Sequence, residues 1–457
     1  MATGTALDDE RLEALSATFS GRLLQPGDAG YDDARKVHNG LIDRQPALIA
    51  RCHGAADIAD ALQLGRDAGL EISVRGGGHN VAGRAVTDGG LMIDLAEMKG
   101  IHVDPDARTV RAQGGVIWRE LDREAAVHGL ATTGGQISTT GIAGYTLGGG
   151  LGWLMSKFGL AADNLLSVEL VTADGKVVRV TEESHADLFW AVRGGGGNFG
   201  VAASLEYRLH PLSTVYGGLI AHPFEAARDV FRAFREFTAT ASDDASAVAA
   251  VVHAPDGSGM KLAALLLFHT GSIAEAEAEL KPLLEFGSPL MSQVGPIPYP
   301  TMNTLLDAGY PKGALNYWKS NFLESLDDEL IELIVDAFAA TPSIMNAILV
   351  EFFPGAVTRV AVSDTPVPHR EVSYNVLLPT EWLDPADTEK NIAWTRETFA
   401  ALEPYFVSRR WLNYFSDDDA ADAVRAAYGP NYERLVEVKT KYDPDNVFHL
   451  NHNIEPR

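Results

Sequence analysis

The segment Val74-Arg75-Gly76-Gly77-Gly78-His79-Asn80-Val81-Ala82-Gly83 puts one imidazole at the mouth of a glycine run that follows a short strand-like stretch. Glycine backbones turn through conformations closed to other residues and approach a ligand closely, and successive exposed N–H dipoles suit phosphate oxygens. A phosphate cradle beside a nucleophilic ring nitrogen points to a covalently held cofactor. Arg75, Gly76, Gly77, Gly78, His79, Asn80 and Gly83 are its candidate contacts.

Three further tracts carry the same stamp. Gly141-Ile142-Ala143-Gly144-Tyr145-Thr146-Leu147-Gly148-Gly149-Gly150-Leu151-Gly152-Trp153 is glycine-rich, and Leu188 to Val201 contains the run Gly194 to Gly197. The third, Tyr442-Asp443-Pro444-Asp445-Asn446-Val447-Phe448, is followed by Asn451-His452-Asn453-Ile454. The run at Gly194–Gly200 contains a loose dinucleotide fingerprint, but the next segment, Val201–Leu209, reads as extended and no acidic residue follows at the proper distance. A nicotinamide-binding unit is therefore rejected. His449 and His452, three apart, lack the further ligands that a metal set needs, so no metal is expected.

With these motifs in this order the chain resembles, over nearly its whole length, the flavin-linked oxidases of the vanillyl-alcohol oxidase/PCMH superfamily, and within it the berberine-bridge-enzyme-like group. The resemblance implies an α+β fold: a two-lobed PCMH-type FAD-binding domain plus a substrate domain made of an antiparallel sheet covered by helices. It implies FAD bonded through its 8α-methyl to His79. Ile137 stands where doubly linked members carry a cysteine bonded to the flavin, so a single covalent link is expected. By the same resemblance Ser138 and Thr140 offer hydroxyls, and Gly141, Gly144, Tyr145 and Gly150 run beside the pyrophosphate and the ring edge. Gly200 and Val201 line the cofactor, and Asn451 and Asn453 offer amides to it or cap a C-terminal turn.

Tyr414 matches the family's active-site tyrosine and is the candidate catalytic base. A phenol, with an ordinary pKa of ~10, works at neutral pH only beside a cation or a donor that stabilises phenolate; otherwise Tyr414 packs over the ring. Many family members carry a second tyrosine where this chain has Leu151, and Ile137 with Leu151 is expected to make a narrower, more apolar pocket. The implied reaction is oxidase chemistry: a hydride from an alcohol or amine C–H to flavin N5, then reoxidation by O2 to H2O2. A small organic substrate is favoured over an oligosaccharide, and the layout of the hydroxynicotine oxidases keeps a cyclic amine open. The alternatives are a dehydrogenase with another electron acceptor, a carbohydrate oxidase, and a flavoprotein that only binds or stores.

Positioning these groups takes an ordered scaffold. From Arg35 to Gln113 helix-like periodicity at Asp57–Ala68 sits among extended segments at Glu71–Arg75, Leu91–Leu95, Ile101–Val103 and Thr109–Gln113. A helix at Ile117–His128 and strands at Leu165–Thr172 and Val177–Val180 follow. Beyond His210-Pro211 come strands at Gly217–Ala221, Ala247–His253, Lys261–Phe268, Ala347–Phe353 and Val372–Leu378, with helices at Glu225–Phe237, Ile273–Leu284 and Asp384–Leu402. The expected division is a FAD-binding domain over 1–212, a substrate domain over 213–410 and a C-terminal return over 411–457. Arg370, in a family-like stretch, is either structural or close to substrate.

A chain of 457 residues is long enough for two lobes with separate cores. Its 37 basic against 62 acidic residues give −25, which repels nucleic-acid backbones. No apolar run reaches the ~18–20 residues that a bilayer requires. Met1 to Glu10 lacks the order of a signal peptide, so a cytoplasmic enzyme without a membrane partner is expected. Cys52 is the sole cysteine, which removes intrachain disulfides and makes a small buried apolar side chain its expected role. Oligomeric state is not legible in the sequence.

Overall fold

Two parallel pairings open the fold: Leu48–Arg51 and Ile72–Arg75 both run parallel to Leu91–Asp94, with Arg22–Leu24 added antiparallel at the edge. A parallel return needs a crossover, and the helix Ala55–Asp67 supplies it. Its Ile58, Ala61 and Leu62, spaced to share one helix face, are fully buried in one core with Leu48, Leu91 and Ile93. The strand Ile72–Arg75 then releases the glycine loop at its carboxyl end, the end at which open α/β sheets place ligands.

A five-stranded antiparallel sheet comes next, in the order Ile101–Asp104, Thr109–Gln113, Val201–Arg208, Leu165–Val171, Val177–Val180. Its core includes Trp118 and Leu121 of the helix Trp118–Ala126, Leu188 and Trp190 of Ala186–Val192, and Leu435, Val436 and Val438 of Tyr432–Tyr442. The C-terminal segment thus packs back onto the first half of the chain. The Tyr442–Phe448 motif is the clasp. Lys439, fully buried, donates to Asp443 Oδ2 at 2.6 Å, to the Asn198 carbonyl at 2.9 Å and to the Phe448 carbonyl at 3.0 Å. Asp443 in turn accepts the N–H groups of Val447 and Phe448.

From Thr214 the chain builds a separate seven-stranded sheet, entirely antiparallel: Met291–Pro298, Thr214–Pro223, Lys261–His269, Ala245–His253, Ile348–Phe353, Ser373–Trp382, Leu315–Leu323. Side chains alternate across it. Val350, Val376 and Leu378 face a core shared with the helices Ala227–Thr238, Ile273–Leu284, Asp328–Ala339 and Thr388–Leu402. Leu349, Leu377, Val248 and Leu266 face the other way and pack with Trp153 and Leu154 of the first half. Helices on one face and the first half of the chain on the other make this an α+β layer arrangement.

The computed structural model describes residues 9–408, 410–416, 418 and 421–457, so Met1–Asp8, read above for a signal peptide, lie outside the described residues. Several elements escape the sequence reading, Leu48–Arg51, Ala186–Val192 and Tyr432–Tyr442 among them, and three more lie in the second half of the chain. The strand Met291–Pro298 holds Gly295, Pro296 and Pro298, a composition tolerated at this sheet edge, where one side needs no partner. Leu315–Leu323, at the opposite edge, hides its alternation behind Asn316, Lys319, Ser320 and Asn321, all of them buried. The helix Asp328–Ala339 is absent from the expected elements, although its buried Leu330, Ile331, Ile334, Val335 and Phe338 have plain helical spacing. No helix among the described residues is long and apolar enough to cross a membrane.

Candidate active site

One long cavity brings together the glycine loop, the 135–148 tract, the second glycine run, the C-terminal tail and the inner face of the seven-stranded sheet. The cavity is open to solvent and runs between segments from both halves of the chain.

The glycine loop makes the first wall. Gly78 holds φ at +70°, in the left-handed region that a side chain resists. Gly77 meets Gly141 so closely that a Cβ on Gly77 would lie 2.3 Å from the Gly141 nitrogen. His79 is half-buried between them and the hydroxyl pair of the next tract, with Thr139 Oγ1 2.9 Å from Nε2 and Thr140 Oγ1 3.4 Å from Nδ1. Burial first, then the neighbouring His38 and Lys312, hold its pKa well below the ordinary 6.5. The ring is therefore neutral at pH 7, as a nitrogen nucleophile must be.

The second wall is the sheet. Glu351, Leu349, Leu377 and Trp318 line the cavity from three adjacent strands, joined by Tyr414 and Tyr310. Glu351 is 2% exposed; Asn375 Nδ2 donates to its Oε2 at 2.8 Å and the Tyr414 hydroxyl donates to its Oε1 at 3.2 Å. Burial pushes its pKa from 4.5 up to about 7, against the lowering effect of these two donors. The Trp318 ring lies 5.6 Å from Tyr310 and 6.1 Å from Tyr414, so the carboxyl sits in an aromatic enclosure.

Of the residues expected from sequence, Gly76, Gly77, Gly78, His79, Asn80, Ile137, Thr140, Gly141, Gly144, Tyr145, Gly200, Val201, Asn451 and Tyr414 line this cavity. Five do not. Arg75 is spent inside the protein: its guanidinium grips Asp94 at 2.9 and 2.8 Å and the carbonyls of Ala34 and Lys36 at 2.6 and 3.1 Å. Gly83 packs on Ile42, and Gly150 on Ala161 and Tyr145. Ser138 gives both its N–H and its hydroxyl to Asp307, at 2.8 and 2.6 Å, and so ties the tract to the far half of the chain. Asn453 lies outside the wall.

Leu151 also needs correction, since it packs with Met155, Leu160 and Trp411 and does not narrow the cavity. Arg370 is structural, pairing with Asp163 at 2.8 Å through two nitrogens. Tyr414 donates to Glu351, and burial, then Glu351 and Tyr145, raise its pKa well above 10, which opposes the phenolate that a base would need. Glu351, Trp318, Tyr310 and His38 are all missed by the sequence reading; for Glu351 the local signal is a lone acid inside the apolar strand Ile348–Phe353.

Residues 46–181 match the FAD binding domain family, and residues 411–455 match the family described as berberine and berberine like. (R)-6-hydroxynicotine oxidase of Paenarthrobacter nicotinovorans is 32% identical over 97% of this chain and 98% of its own. This chain belongs to the berberine-bridge-enzyme-like FAD-linked oxidoreductases. A FAD-linked oxidoreductase of Dictyostelium discoideum is 29% identical over 96% of the chain and 95% of its own length. Among solved structures, 6-hydroxy-D-nicotine oxidase from Arthrobacter nicotinovorans superposes with a TM-score of 0.87 at 32% identity, over 96% of this chain and 99% of that one. BBE-like 1 of Physcomitrella patens, TM-score 0.88 at 22% identity over 98% and 100%, shows the shared fold.

The residues present fit FAD. A Cβ placed on Gly144, in the cavity wall, would meet nothing within 4 Å, so the wall is open there for a ligand. The Tyr428 hydroxyl and Asn413 Oδ1 are buried on the same wall without a hydrogen-bond partner among the described residues. Buried polar atoms are rarely left so unless something else pairs with them.

Proposed function

We propose that this family member is an oxidase acting on an alcohol or amine C–H of a small organic substrate, with FAD held by a single covalent bond to His79. FAD, held by the loops around His79, Thr140 and Gly144, would supply the two-electron acceptor for the substrate's C–H, with O2 as the final acceptor giving H2O2. The protein's part is position and proton management. Glu351 takes the proton from the substrate's O–H or N–H, and its pKa of about 7 suits a base working near neutrality. Tyr414 and Asn375 hold that carboxyl in place, and Leu349, Leu377, Trp318 and Tyr310 exclude water around it.

For the covalent bond the geometry supports Nδ1. Nδ1 has the longer of the two hydroxyl contacts, 3.4 Å to Thr140 Oγ1 against 2.9 Å from Nε2 to Thr139 Oγ1, and Thr140 lines the cavity. Ile137 in the wall offers no thiol for a second bond.

The observation that carries the oxidase reading is Glu351: a carboxyl buried on the wall of the cavity that also holds His79, with Tyr414 and Asn375 as its partners among the described residues. The test is a screen of alcohols and amines for peroxide release under air. Peroxide formed with one of them, and abolished in Glu351→Gln, is the expected result. Substrate-reduced enzyme that reoxidises only sluggishly on stopped-flow mixing with air would instead make the protein a dehydrogenase. For the link, acid precipitation should leave the yellow colour in the pellet, and His79→Ala should release it; colour in the wild-type supernatant would refute the bond.

A further inference from the structure

The imidazole of His38 lies flat on that of His79, with centroids 3.9 Å apart and planes 23° off parallel. His38 is 8% exposed, and its backbone is bolted down on both sides: its N–H donates to the Gly78 carbonyl at 2.9 Å, and its carbonyl accepts from Gly313 at 2.9 Å. Asn39 extends the clamp, with Nδ2 donating to the Val81 carbonyl at 2.8 Å and the Asn316 carbonyl at 2.9 Å, while Oδ1 accepts from the Asn316 N–H at 2.9 Å. The segment 38–39 therefore grips the glycine loop at Gly78 and at Val81, on either side of His79. Thr139 and Thr140 hold the ring nitrogens.

Nothing in the oxidation of a substrate uses His38, which lies outside the cavity wall. We propose that His38 is a positioning residue for cofactor attachment, a flat plate that fixes the plane of the His79 ring at the cavity wall. This rests on the covalent reading above. Attachment exchanges the His79 N–H and one C–H of the flavin's 8α-methyl for a C–N bond. The two protons and two electrons released pass to O2, giving H2O2. Without a flat group stacked on one face, only the two threonine contacts restrain the nucleophile's ring, and the fraction of time it spends in the productive orientation falls. The nitrogens of His38 are dispensable in this account, since burial holds its pKa down to about 4 and its role is steric.

The test compares His38→Ala, His38→Leu and His38→Phe, each purified as the full chain and incubated with excess FAD in air. The readout is acid-stable flavin per protein over time, which needs no substrate, alongside thermal unfolding. The expected result is incorporation about tenfold slower in Ala and Leu and within about twofold of wild type in Phe. Leu fills the space without a flat ring, so it carries the comparison if Ala fails to fold. Incorporation in Leu as fast as in wild type would overturn the proposal, and so would Phe as slow as Leu. A colourless wild-type pellet would instead sink the covalent reading itself, and the two failures are separately visible.

Discussion

Replacing Glu351 by glutamine should do two things of opposite sign. As the base it would cost activity: general-base catalysis contributes roughly 10²–10⁴-fold, about 2.7–5.4 kcal/mol at 1.36 kcal/mol per decade. As a buried carboxyl it should gain stability. In the folded protein Glu351 holds its proton up to about pH 7, whereas its ordinary value is 4.5. Between those two values the folded state binds a proton that the unfolded state has released, so stability falls as pH rises from 4.5 and levels off above 7. The difference of about 2.5, at 1.36 kcal/mol per pH unit, amounts to about 3 kcal/mol at pH 8. Glutamine, never charged, escapes that loss and can still accept from Asn375. Thermal unfolding should place Glu351→Gln above wild type at pH 8 and level with it near pH 4.5. Rapid-reaction flavin reduction, with the substrate from the peroxide screen, should show the rate down by at least a hundredfold and the pH-dependent limb near 7 gone. A variant that reduces its flavin within threefold of wild type would refute the assignment of the base. Equal stability at both pH values would refute the electrostatic reasoning, whatever the activity.

Other changes read other parts of the site. Tyr414→Phe removes a donor that lowers the Glu351 pKa, so the ascending limb of kcat/KM against pH should move upward, and a downward or absent shift would contradict the hydrogen bond's role. Asp94→Asn strips the shared carboxylate from Arg75 and Arg51, which approach it at 2.8 and 3.0 Å, and leaves the Arg75 charge buried. Breaking one partner of such a pair costs about 3–5 kcal/mol, visible as a lowered unfolding midpoint. Gly77→Ala drives a Cβ to 2.3 Å from the Gly141 nitrogen, so the two loops must part; flavin content of the purified protein should fall sharply, whereas full loading would show that the loops can separate without loss.

What the sequence disclosed and what it hid divide along a physical line. Work done by the backbone is written locally: Gly77, Gly78, Gly141 and Gly144 stand where a side chain would collide, strain or fill the cavity, and their spacing is visible in the chain itself. The same holds for helices with plain periodicity such as Ala55–Asp67, and for His79, exposed by its glycine neighbours. Where the sequence reading errs inside these motifs, a folded partner has claimed the residue: Asp94 for Arg75, Asp307 for Ser138, the Met155 and Trp411 cluster for Leu151.

Work done by side chains across a sheet is written only faintly in the local sequence. Glu351 faces the cavity because Glu351 pairs with Asn375 and Leu349 with Leu377, a register that places alternate residues of two distant strands on one face. In the stretch Ile348-Leu349-Val350-Glu351-Phe352-Phe353 that single acid looks like an interruption of a buried strand. A charged residue in the middle of such a run is costly unless it is paired or kept protonated, and that cost is the local signal that went unused. The same cost argues for function over accident: a strand that buries all six of its residues gains nothing in stability from a carboxyl held at a pKa of about 7. Replacement by an apolar residue would stabilise the sheet at neutral pH. What the carboxyl gives in return is a proton acceptor in the wall of the cavity that His79, Trp318, Tyr310 and Tyr414 also line.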